Sequence, residues 1–131
     1  MKLGYKELVE AAESEIETLD VQTARGRCDD DDVVFVDLRD IRELQREGKV
    51  PGAFHAPRGM LEFWVDPDSP YHKPLFAEDK LFIFYCHSGW RSALATHIVQ
   101  RMGLPRVCHM GGGFDAWKDS RGPVEELLPK R

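Results

Sequence analysis

The sequence predicts an α/β sandwich built on a mainly parallel sheet. Two observations carry this. Residues 33–36 and Leu81–Tyr85 are short and wholly apolar, as strands buried on both faces are. Segments with helical spacing alternate with such runs, the pattern of parallel strands joined by crossover helices.

The elements follow in order. Tyr5, Leu8, Val9 and Ala12 share one face among Lys and Glu residues, which predicts an opening amphipathic helix. Residues 16–19 suit a short edge strand, and Asp20 is placed to cap a brief helix over Val21–Arg25. The acidic run 29–32 reads as a solvated turn, since it lacks the alternating ligands and closing Glu of a calcium loop. Strand 33–36 ends at Asp37, and helix Ile41–Glu47 follows. Residues 48–55 turn through Pro51 and Gly52 into another short strand. Residues 58–80 are the least regular. Within them 59–65 can form a helix, Trp64 can wall a pocket, and Phe63, Trp64, Tyr71 and Phe76 can serve as aromatic filler. After strand Leu81–Tyr85, residues 92–102 read as a helix packed through Leu94, Ala95, Ile98, Val99 and Met102. Gly103, Leu104 and Pro105 stop it. Val107–Met110 is the last strand, with Cys108 as inert core. Gly111 to Gly113 then turn sharply into a short helix packed by Phe114 and Trp117. The spacing of a dinucleotide loop is absent there.

With 131 residues, 42% of them hydrophobic, the chain can bury a real core, and 1–131 reads as one domain. A net charge of −5 argues against nucleic acid or a membrane surface as partner. No apolar run approaches membrane-spanning length, and the first twenty residues are too charged for a signal peptide. Cys28, Cys86 and Cys108 form neither a disulfide framework nor paired metal ligands, which fits a reducing cytoplasm. The five histidines have no ligand spacing, so no metal site is expected.

The chemistry concentrates at Cys86-His87-Ser88-Gly89-Trp90-Arg91, with Ser92 behind it. This loop joins the carboxyl end of a buried strand to a helix N-terminus. Backbone N–H groups collect there and favour an anion. A cysteine at the first position has its thiolate form favoured. An arginine at the end offers a fork of donors to an oxyanion. A lone cysteine at a strand end is ordinarily a small buried hydrophobe, but that reading gives no use to Gly89, Arg91 and Ser92 at such close spacing. His87 can assist a proton transfer or simply face solvent. Asp37 and Arg39 lie where a parallel strand delivers side chains to the ligand edge. They either brace the cysteine loop or cap helix Ile41–Glu47 and pair with each other.

These residues resemble the rhodanese family of sulfurtransferases over residues 16–125. Val36-Asp37-Leu38-Arg39 followed by Glu43 is similar to the family's Asp-Val-Arg opening, and residues 48–55 to its Gly-His-Ile-Pro-Gly-Ala motif. Residues 86–92 are similar to its active loop, and 112–117 with Gly122-Pro123 to its closing motif. The four occur in the family's order, and the match is close to stand-alone bacterial domains. Lys49 stands where His is common and His55 where Asn is common. The resemblance implies a three-layer α/β/α rhodanese-like domain with a five-stranded sheet, and Cys86 as the carrier of sulfur in a persulfide.

The expected reaction is double displacement. Cys86 takes sulfane sulfur from a small anionic donor such as thiosulfate, and cyanide or a thiol acceptor removes it. Arg91 would hold the donor. The loop N–H groups of residues 87–92 and a hydroxyl of Ser88 or Ser92 would stabilise the sulfur. No cofactor or metal is needed, and a protein persulfide is a further candidate partner. Three other readings stand beside it: a cysteine-dependent phosphatase or arsenate reductase, a non-catalytic binding module, and a redox-signalling thiol with a resolving cysteine. The first commonly has five residues between Cys and Arg. Here there are four, His87 to Trp90, a narrower cradle that favours sulfur.

Overall fold

The computed structural model describes residues 1–127; the last four residues of the predicted 1–131 domain lie outside them. The chain runs α1 (Tyr5–Glu15), β1 (Thr18–Leu19), α2 (Val21–Arg25), β2 (Val33–Asp37), α3 (Ile41–Glu47), β3 (Phe54–His55), α4 (Leu61–Val65), β4 (Leu81–Tyr85), α5 (Trp90–Met102), β5 (Val107–Met110) and α6 (Gly113–Asp119). The strands form one sheet in the order β1-β5-β4-β2-β3. Every neighbouring pair in it is parallel. β4 is therefore central, and its carboxyl end opens between β5 and β2.

One face of the sheet, with Val36, Phe82 and Phe84, packs on Leu61 and Val65 of α4 and on Ala95 and Val99 of α5. The other face, with Phe35, Ile83, Tyr85, Cys108 and Met110, packs on Ala24 of α2 and on Phe114 and Trp117 of α6. β4, buried from Phe82 to Tyr85, thus has apolar partners on both sides, which is why its sequence shows no alternation. The α/β/α layering expected from the motifs is present.

Residues 58–80 hold α4 between two 3-10 turns, Arg58–Met60 and Pro74–Ala77. Of their aromatics only Phe76 and Trp64 act as filler; Phe63 and Tyr71 are exposed and pin nothing to the core. Phe76 packs edge-on against Phe54 at 5.8 Å between centroids and lies 5.3 Å from Phe82. Trp64 packs on Phe54 and under Lys73.

Helix α5 departs from expectation. It begins at Trp90, two residues earlier than predicted, and its fully buried positions are Ser92, Ala93, Ala95, Thr96 and Val99. Met102 is exposed. The reason is a second cover: Val9 and Ala12 of α1 close over Ala93. A helix buried on two sides needs small residues at its contacts; of the expected stripe, Ala95 and Val99 are buried and Leu94 packs on the α1 side, while Met102 is left out. Tyr5 and Leu8 of α1 correspondingly stay exposed.

Candidate active site

Cys86 follows the last residue of β4 and is only 1% exposed. The chain reverses at Gly89, whose φ of 115° is left-handed backbone that glycine adopts without strain. Gly89 is the N-cap of α5 and has no side chain to cap it. The sulfur takes that role. The N–H groups of Gly89 (3.2 Å) and Ser92 (3.4 Å) both donate to Cys86 Sγ. These are donors a helix start leaves without partners, and they favour negative charge on the atom they meet. In the thiol form Cys86 donates to Ser92 Oγ at 3.6 Å.

The start of α6 holds the loop through backbone bonds. The N–H of Phe114 donates to the Cys86 carbonyl (2.8 Å) and that of Asp115 to the His87 carbonyl (3.1 Å). A Cβ at Gly113 would come within 2.6 Å of both carbonyl oxygens. Gly113 therefore permits the close approach of α6 to the loop, and its φ of 60° is again left-handed.

Arg91 is half-buried and engages Glu43 with both terminal nitrogens, Nη1 to Oε2 at 2.9 Å and Nη2 to Oε1 at 3.0 Å. This pairing brings the Glu43 carboxyl down to about 2, chiefly through the Arg91 hydrogen bonds. Glu43 holds Arg91 in its charged form, and nearness to Cys86 acts in the same direction. Glu43 is itself fixed by the capping box of α3, where Asp40 N–H donates to its Oε2. The two bonds to Glu43 leave Arg91 further N–H groups for a second anion.

Asp37 and Arg39 are fully buried and paired with each other, Nη2 to Oδ2 at 2.8 Å. Arg39 also donates to the Gly48 carbonyl at 2.7 Å. The cap of α3 is Asp40, not Asp37. Among the described residues neither Asp37 nor Arg39 hydrogen-bonds the cysteine loop. Arg39 reaches it indirectly, with its guanidinium 4.3 Å from the centre of the Phe114 ring. Phe114 in turn is the residue whose N–H holds Cys86. His87 and Ser88 are exposed, and His87 Nε2 lies 3.3 Å from Asp115 Oδ2. Trp90 is exposed and packs 5.0 Å from the ring of Tyr5.

Two features were missed from sequence. One is the clasp of Glu43 on Arg91. Asp40 with Glu43 three residues later has capping-box spacing, so the local position of Glu43 was readable, but its partner 48 residues away was not. The other is His109, 2% exposed inside β5. Its Nδ1 lies 3.0 Å from Ser92 Oγ and its Nε2 3.0 Å from Thr18 Oγ1. A polar residue in a buried strand must find partners, and that is the signal that was available.

Cys108 sits opposite Ile83 in the β4–β5 ladder. Three residues along a strand span about 10 Å, while a disulfide needs Cα atoms within about 7 Å. Cys108 is therefore out of reach of Cys86 as a resolving thiol. Burial pushes its own thiol up to about 12, the inert core residue expected. Among the described residues no cluster of three or more His, Cys, Asp or Glu could hold a metal ion, and no helix is long and apolar enough to cross a membrane.

A buried cysteine sulfur held by helix-start N–H groups at the end of the central strand of a parallel sheet defines the site, and comparison with known proteins gives the chain a family. The rhodanese-like domain model matches residues 20–120, and the chain belongs to that family. The thiosulfate sulfurtransferase GlpE of Glaesserella parasuis is 28% identical over 104 residues, covering 79% of this chain and 88% of its own. YrkF of Bacillus subtilis, a candidate sulfur carrier protein, is 27% identical over 105 residues; the match takes 79% of this chain but spans about half, 52%, of that relative. A solved structure from Rhodopseudomonas palustris is 53% identical, with a TM-score of 0.93 over 95% of this chain and 96% of that one. It is a protein of unknown function described as a possible tyrosine phosphatase.

Proposed function

We propose that this protein is a sulfurtransferase that carries sulfane sulfur on Cys86 from a small anionic donor such as thiosulfate to a thiophilic acceptor. The observation that carries the reading is the bonding of Cys86 Sγ by the N–H groups of Gly89 and Ser92 at the start of α5. It gives a buried sulfur nucleophile fixed donors.

The Cys86 thiolate attacks the outer sulfur of the donor. The sulfur–sulfur bond of thiosulfate breaks, sulfite leaves with the electron pair, and Cys86 holds a persulfide. Cyanide or a thiolate then attacks the outer persulfide sulfur and returns Cys86 as thiolate. Donors fixed in advance at the sulfur lower the cost of charge developing there. Arg91 stays on Glu43 and offers its remaining N–H groups to the sulfonate. Asp37 and Arg39 support the loop through Phe114. A protein persulfide is an alternative donor, and the cytoplasm the compartment that keeps Cys86 reduced.

A phosphatase is the second reading, favoured by the description of the Rhodopseudomonas palustris neighbour. Against it stand the four residues between Cys86 and Arg91, a cradle short for a phosphoryl group. One experiment separates the two: assay the protein with thiosulfate plus cyanide and with an aryl phosphate. Thiocyanate formation and an inert aryl phosphate are expected. Phosphate release without thiocyanate overturns the proposal.

A further inference from the structure

We propose that His109 is a positioning residue for Cys86, acting through the Ser92 hydroxyl and linking the buried thiol to the surface at Thr18. The inference rests on Cys86 as the nucleophile assigned above, and not on which donor supplies the sulfur.

Four side chains from four places in the chain line up. Cys86 Sγ lies 3.6 Å from Ser92 Oγ, Ser92 Oγ 3.0 Å from His109 Nδ1, and His109 Nε2 3.0 Å from Thr18 Oγ1. Cys86, Ser92 and His109 are each at most 2% exposed, whereas Thr18 is exposed on the edge strand. Thr18 stands directly opposite His109 in the β1–β5 register, which puts both side chains on one face. A Cβ at Gly111 would press on Thr18 Cγ2 at 2.9 Å, so glycine there leaves the hydroxyl its seat. Among the described residues no carboxylate or cation hydrogen-bonds the His109 ring. Glu17 meets its backbone N–H through a carbonyl. The titratable group His109 faces, through Ser92 of α5, is Cys86. Burial disfavours the imidazolium, so the ring works as a neutral donor and acceptor.

The chain has two consistent polarities. With a thiol, Cys86 S–H donates to Ser92 Oγ, Ser92 O–H to His109 Nδ1, and His109 Nε2–H to Thr18 Oγ1. With a thiolate, every bond reverses: Thr18 O–H donates to Nε2, Nδ1–H to Ser92 Oγ, and Ser92 O–H to the sulfur. One proton leaving the thiol, with one shift at each link and one proton released from Thr18 to water, converts the first into the second. Only the second polarity gives the sulfur anion a hydroxyl donor. With Nδ1–H donating to it, Ser92 Oγ can no longer donate to His109, its own O–H is strengthened as a donor, and the acceptors left to it are the sulfur and the Gly89 carbonyl at 3.3 Å. A threonine serves both polarities because its hydroxyl donates and accepts.

A merely structural histidine would fill the same space, so the test uses reactivity in a double-mutant cycle. Alkylation of Cys86 by iodoacetamide is followed by peptide mass across neutral and mildly alkaline pH. This reagent needs no sulfur donor, so a failure of sulfur transfer and a failure of this inference are read separately. Ser92→Ala and His109→Leu are each expected to slow alkylation at neutral pH about tenfold and to move its rise to higher pH. The double variant is expected to be no slower than Ser92→Ala alone. His109→Asn recovers part of the rate, since its amide N–H stands in for Nδ1–H. His109→Leu reacting as wild type, or slowing the reaction equally with and without Ser92, overturns the inference. If His109→Leu loses its near-ultraviolet circular dichroism, Thr18→Val at the exposed end decides: slower alkylation supports the chain, and the wild-type rate overturns it.

Discussion

The carboxylate of Glu43 grips both terminal nitrogens of Arg91, 2.9 and 3.0 Å away, and so ties the start of α3 to the last residue of the cysteine loop. The pair has a definite pH signature. The folded-state value of Glu43, about 2, lies below its ordinary 4.5. A carboxyl depressed on folding stabilises the fold above its unfolded value and loses that contribution as pH falls through the folded one. Glu43 therefore contributes fully above about 4.5 and progressively less down to about 2. Glu43→Gln is expected to cost roughly 1–2 kcal/mol at neutral pH, discounted because Arg91 is partly exposed. Urea melts of the two proteins should converge as pH drops through this window. Curves that stay parallel would remove the pair from the stability account.

Arg91 tests the donor side. Arg91→Ala removes a charge-assisted contact to an anion and should lower the second-order rate constant with thiosulfate about tenfold or more. Arg91→Lys should recover only part, because an ammonium lacks the planar fork. Because Arg91→Ala also strands Glu43, the Glu43→Gln variant is the control for lost stability. Steady-state kinetics on thiosulfate check this, and an unchanged Arg91→Ala means the donor binds elsewhere.

Gly113 tests the floor of the loop. Its φ of 60° and the 2.6 Å approach of a Cβ to the Cys86 and His87 carbonyls make Gly113→Ala strained twice over. A loss of about 2 kcal/mol or more is expected, measured by denaturant melts. Gly52→Ala is the comparison. It has a φ of 75° but open space around it, so it should cost only about 1 kcal/mol.

The remaining cysteines should be bystanders. Cys108, fully buried and pushed up to about 12, should resist alkylation in the folded protein at mildly alkaline pH. Cys28→Ser and Cys108→Ser should keep sulfur transfer. Loss of turnover in Cys108→Ser without loss of fold would contradict its place in the core.

Much of this was legible because it is local. β2 and β4 announce themselves as apolar runs, and Asp20 caps the helix it precedes. The loop from Cys86 to Ser92 is likewise one contiguous motif. What could not be read is contact between distant segments. The helix α5 hid its packing because α1 covers its outer side. Glu43 meets Arg91 only once the sheet order places β2 beside β4, and His109 meets Ser92 and Thr18 only once it places β5 between β1 and β4. Asp37 and Arg39 show the same limit. Their pairing follows from spacing, but their route to the loop through Phe114 depends on where α6 docks.

The central claim is that Cys86 carries sulfur, and intact mass after exposure to thiosulfate tests it most directly. The protein is incubated with excess thiosulfate, desalted and weighed, then treated with cyanide and weighed again. The wild type should gain one sulfur atom and lose it to cyanide, while Cys86→Ser, folded as judged by circular dichroism, should never gain it. A wild type that gains no sulfur, or a Cys86→Ser variant that gains and releases sulfur as the wild type does, would contradict the account.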